Sequence, residues 1–109
     1  MESEKMNCSE LPNSILLPNG RLGWNYHSLP LVMEYAKSNR WIILGGDVLT
    51  NQGKYTYDNW YYNPNPLLDY EQNMHNSILT CFEYISKYTE RNGSDFVFEL
   101  VITDTLPRE

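Results

Sequence analysis

Between Tyr70 and Tyr88 the residues Tyr70, Met74, Ile78, Cys81, Phe82, Ile85 and Tyr88 recur at helical spacing. That pattern marks an amphipathic helix with one apolar face. Such a helix draws most of its stability from packing, so its apolar face must lie on another element. Its limits are also legible. Asn63-Pro64-Asn65-Pro66 breaks the chain ahead of it, because a residue before proline avoids the helical region. Asp69 brings negative charge to its N-terminus, and Asn92-Gly93 supplies a stop.

The surface that covers this helix has to come from the strand-like segments. Trp41-Ile42-Ile43-Leu44 is an apolar run entering Gly45-Gly46-Asp47, and Val48-Leu49 continue it beyond the glycines. It reads as a buried central strand. A turn over Thr50–Lys54 leads to Tyr55–Tyr62, which is strand-like in propensity. Alternation places Tyr55, Tyr57, Asn59 and Tyr61 on one face and Thr56, Asp58, Trp60 and Tyr62 on the other. A last strand, Asp95–Thr103, puts Phe96, Phe98, Leu100 and Ile102 on one face. Earlier in the chain, residues 14–17 form a weak strand before a Pro18-Asn19-Gly20 turn. The stretch from Arg21 to Ser28 has no clear periodicity. Ser28 reads as the N-cap of a short helix over Leu29–Ser38, with Leu29, Val32, Met33 and Ala36 on one face. The order predicts an α+β fold: a small, mostly antiparallel sheet covered on one face by one short and one long helix. Residues 1–12 are polar and expected to be a flexible N-terminus, leaving 13–109 as a single domain.

Charge and motifs narrow the function classes. The net charge is -6, and residues 54–109 alone hold nine Asp/Glu against four Lys/Arg. An acidic chain repels phosphate backbones, so nucleic acid is not an expected partner, whereas a basic protein surface is attracted. No apolar run reaches transmembrane length and no secretory signal opens the chain, so the expected setting is the cytoplasm, with no membrane association. Cys81 lies on the helical stripe and reads as a core thiol; Cys8 lies in the polar N-terminal stretch. His27 and His75 are isolated, so no metal or cofactor site is expected. No nucleophile elbow or phosphate-binding loop is present, so no catalytic residue is assigned. Paired carboxylates remain a candidate, with Asp47 and Asp58 facing one another across a hairpin.

The strongest candidates are for protein contact. Trp and Tyr are favoured interface anchors, and a nearby carboxylate can pair with Arg or Lys. Asp47, Tyr57, Asp58, Trp60, Tyr61 and Tyr62 are therefore the candidate partner-binding residues. Trp60 reads equally well as core. Gly45 and Gly46 read as a structural motif permitting a bulge or a close backbone approach.

Three segments carry a resemblance to a known family: Trp41-Ile42-Ile43-Leu44 running into Gly45-Gly46-Asp47-Val48; Tyr57-Asp58-Asn59-Trp60-Tyr61; and the long helix with Tyr70, Ser77, Tyr84-Ile85 and Tyr88. Over residues 41–88 the chain resembles the bacterial immunity proteins of the immunity protein 40 family. The resemblance implies a small α+β antitoxin that binds and blocks a cognate polymorphic toxin in the producing cell. It supplies no catalytic residue, and Asp47 and Trp60 match its motif positions. The expected partner is a protein toxin with a basic surface, bound by a monomer or weak dimer. Two other classes stay open: a non-enzymatic adaptor using the same aromatic-acidic surface, and a small enzyme or ligand-binding domain with a polar pocket around Asp47, Asp58 and His75.

Overall fold

The computed structural model describes residues 14–16 and 22–105. The elements run β1 (Ile15–Leu16), β2 (Leu22–Asn25), α1 (Leu29–Ser38), β3 (Ile42–Thr50), β4 (Tyr55–Tyr61), α2 (Tyr70–Asn92) and β5 (Phe96–Thr103), with a 3-10 turn over Tyr26–Ser28. The strands form one antiparallel sheet in the order β1-β2-β5-β3-β4. Both helices share one core with the sheet. Leu29, Val32 and Ala36 of α1 and Met74, Ile78, Cys81 and Ile85 of α2 meet Trp24, Ile42, Ile43, Val48, Trp60 and Phe98. The expected α+β architecture is the observed one.

Helix α2 begins with a capping box. The Asp69 carboxylate accepts the Gln72 N–H at 2.8 Å, and the Gln72 side chain accepts the Asp69 N–H. It ends where Gly93 takes a φ of 94°. Helix α1 closes differently. Arg40 takes a left-handed φ of 58°, and the Trp41 N–H bonds back to the Ala36 carbonyl at 2.9 Å, as in a Schellman closure. The Arg40 guanidinium then reaches Glu71 at 2.7 Å and lies 5.3 Å from the Tyr70 ring centre, while the Tyr70 hydroxyl donates to the Arg40 carbonyl. These contacts tie the end of α1 to the start of α2.

Several local expectations change. The aperiodic stretch after Arg21 contains strand β2, whose Trp24 pairs with Phe98 and is buried. Four residues are too few for alternation to stand out, and Gly23 interrupts it. Ser28 occupies the N-cap of α1, but its side chain caps nothing; Asn25 instead accepts the Ser28 N–H and closes the 3-10 turn. Phe82 is 41% exposed although it falls on the apparent apolar stripe. The buried positions of the helix centre near Cys81, and Phe82, about 100° further round the axis, falls at the edge of that face. The Pro18-Asn19-Gly20 turn, Cys8 and the N-terminal twelve residues lie outside the described residues.

Strand β3 carries the irregularity that shapes the site. Its register with β5 shifts between Ile43 and Gly45, making Leu44 the extra residue of a bulge. Ile42 and Ile43, just ahead of the bulge, are both fully buried. There the Ile43 N–H donates to Ser77 Oγ at 2.9 Å, and Ser77 Oγ in turn donates to the Met74 carbonyl.

Candidate functional site

Residues paired across antiparallel strands share a face, so the registers assign both faces of the sheet. Val48, Gly46 and Trp60 pair into the helix side with Phe98 and Leu100. The other face is a grid of three rows. The first is Tyr61-Gly45-Val101, the second Asn59-Asp47-Glu99, and the third Tyr55-Leu49-Val97. The third row is closed: Leu49 and Val97 form a small buried cluster of their own. The first row is open, with Tyr61 77% and Val101 53% exposed on either side of Gly45.

Strand β4 is the sheet edge, and it bulges. Asp47 pairs with Asn59 but Leu49 pairs with Tyr55, so Thr56, Tyr57 and Asp58 together span one position of β3. The Thr56 hydroxyl fills the gap in the ladder. It donates to the Val48 carbonyl at 2.9 Å and accepts the Asp58 N–H at 3.1 Å. Tyr57 stands at the crest with φ 71° and is 89% exposed. Non-glycine residues pay for a left-handed φ, and such positions cluster at functional sites.

The six candidate contact residues divide between the two faces. Asp47 and Tyr61 stand on the face away from the helices, and Tyr57 projects from the bulge. Trp60 is 6% exposed and turned inward. Its ring stacks on Tyr84 at 4.8 Å, Tyr84 stacks on Tyr88 at 5.9 Å, and Tyr88 meets Phe96 edge-on at 5.3 Å. Asp58 is exposed but tethered, its carboxylate accepting the Tyr88 hydroxyl at 2.8 Å. Burial, and after it the bond to Asp58, raises the Tyr88 phenol above its ordinary pKa; burial first and then the Asp58 charge does the same for Tyr84. Tyr62 is half-buried, and its hydroxyl donates to Asn73 Oδ1 at 2.6 Å.

The glycines fit backbone against ring. A Cβ on Gly46 would stand 2.5 Å from Trp60 Cη2 and closer still to the Glu99 carbonyl oxygen. Gly45 has φ 151°, and a Cβ there would strike the Trp60 carbonyl.

The carboxylate pair expected across the hairpin does not form. Asp47 pairs with Asn59, so its neighbour Asp58 falls on the opposite face of the sheet. His75 is distant from both, on a cleft with Lys37, Glu71 and Gln72. Among the described residues, no group of three or more His, Cys, Asp or Glu is placed to hold a metal ion. No helix of the described chain is long and apolar enough to cross a membrane.

Asn73, fully buried, was not among the sequence candidates. Its Oδ1 accepts from Tyr62 and from the Asn65 N–H at 2.7 Å, and its Nδ2 donates to the carbonyls of Asn65, Leu68 and Asp69. It therefore folds the Asn63–Pro66 break onto α2. A signal for it existed: Asn73 and Ser77 are small polar residues four apart beside Met74 and Ile78, on the stripe the helix buries.

The chain matches the family model described as Immunity protein 40 over residues 16–102. No curated protein matches, and no solved structure matches.

Proposed function

This chain belongs to the immunity protein 40 family, and from that premise we propose that it is an antitoxin that binds and neutralises a cognate polymorphic toxin in the cytoplasm of the producing cell. The observation that carries the reading is the family match over most of the chain. The β3–β4 side of the sheet is consistent with it. Tyr57 and Tyr61 are exposed aromatic side chains of the kind that anchor interfaces, and Asp47 lies between them and the sheet centre. Trp60 and Gly46 support this surface from behind, Gly45 lies within it, and Tyr62 fixes the strand's exit.

Inhibition of this kind needs surface occupation and no chemistry. An acidic antitoxin meets a basic toxin surface with a favourable long-range field, which raises the encounter rate and makes affinity salt-dependent. The experiment is calorimetric titration of the purified protein with the toxin domain encoded beside its gene, at about 50 mM and about 300 mM salt, spanning the range over which the screening length falls through about 10 Å. Tight binding at low salt, weakened roughly tenfold or more at high salt, is the expected result. Absence of binding at both salts would remove the antitoxin reading. Tight binding indifferent to salt would leave that reading and remove its electrostatic part.

A further inference from the structure

The open end of the uncovered sheet face is unlike the rest of the surface. Gly45 contributes no side chain between Tyr61 and Val101, and the gap is a depression of about 300 Å3 lined also by Asp47 and Asn59. Among the described residues, no hydrogen bond or ion pair reaches the Asp47 carboxylate. The five strands together carry Asp47, Asp58 and Glu99 and not one lysine or arginine. The two larger clefts differ. One includes Lys37, and the other includes Lys87 and Arg91. Carboxylates there already have cations nearby, so a cation arriving from outside gains less.

We propose that this notch receives a lysine or arginine side chain of a protein partner, which on the antitoxin reading is the toxin. Asp47 supplies the counter-charge and the Asn59 carbonyl a second acceptor. The exposed Tyr61 ring offers its face to the cation, and Val101 covers the aliphatic stem. Gly45 is needed for a backbone conformation that disfavours a side chain and for the close approach of the Trp60 carbonyl, and the row is left without a side chain between Tyr61 and Val101.

The probe is acetyl-tetraarginine amide, titrated into 15N-labelled protein. Shifts should concentrate on the amides of Gly45, Gly46, Asp47, Asn59, Tyr61 and Val101. In Asp47→Asn, which keeps the side chain's shape, apparent affinity should fall roughly tenfold while the spectrum stays dispersed. Shifts gathered on α2 around Glu83 and Glu90, or an unchanged response in Asp47→Asn, would overturn the assignment. The toxin domain separates this claim from the one it rests on. If wild type does not bind the toxin but the peptide fills the notch, the antitoxin reading falls and the cation site stands. If wild type and Asp47→Asn bind the toxin equally, the notch assignment falls and the antitoxin reading stands.

Discussion

At the β3 bulge the Ile43 amide loses its place in the ladder and is satisfied by one hydroxyl, that of Ser77. Ser77→Ala leaves that donor buried and unpaired, which costs about 1–3 kcal/mol. Urea unfolding should show a lower midpoint with an unchanged slope, and an unchanged midpoint would deny the bond a structural role. Gly46 has less tolerance, because both atoms in its way belong to well-held groups, a β5 carbonyl and the Trp60 ring. Gly46→Ala should destabilise by about 1–3 kcal/mol by overpacking. It should also disturb the Trp60–Tyr84 stack, read as a change in near-ultraviolet circular dichroism. These residues were unequally legible. Gly45-Gly46 stood out because consecutive glycines inside an apolar strand require a reason. Ser77 appeared only through the family resemblance, and Asn73 showed only as a polar residue on the buried stripe, a position that does not reveal which backbone groups it will satisfy.

At the scale of elements, α2 was legible from both its period and its ends. Asp69 and Gln72 form the capping box, and Gly93 ends the helix. Asp69→Ala should cost about 1 kcal/mol. Hydrogen exchange should quicken mainly in the first turn, at Gln72 and Asn73, and uniform acceleration along α2 would contradict a local cap. Strands β3, β4 and β5 were legible from composition and alternation, and β2 was not, being four residues long with a glycine inside. The edge strand was half legible. Alternation placed Trp60 and Tyr61 on opposite faces, but no pattern in Thr56-Tyr57-Asp58 announces a bulge. That bulge is a tertiary outcome, made possible by a threonine hydroxyl that stands in for a missing ladder bond. Sheet order was beyond sequence patterning as well, since β5 enters between β2 and β3 from the far end of the chain.

For the molecule as a whole, burial makes the chain sensitive to alkali. The Cys81 thiol is pushed up from about 9 to about 12 by desolvation, and the phenols of Tyr70, Tyr84 and Tyr88 are raised as well. A raised folded-state pKa means the unfolded chain loses its proton first as pH rises. The contribution of Cys81 is therefore complete below about pH 9 and is lost between about 9 and 12, at up to about 1.4 kcal/mol per pH unit. The tyrosines act in the same direction at higher pH. Stability should be level from pH 7 to about 9 and fall above it. In Cys81→Ala the fall should begin later, and a curve unchanged by that substitution would contradict the assignment.

The same molecule carries an uncovered acidic and aromatic sheet face, and family membership gives that face a proposed use: occupying a toxin. Co-expression tests this most directly. The proposed cognate toxin is induced in a test bacterium alone, with this protein, and with a folded Asp47→Lys variant. Survival with the wild-type protein and death with the toxin alone or with the variant is the predicted result. Death in every arm, with the protein folded and abundant, would contradict the account.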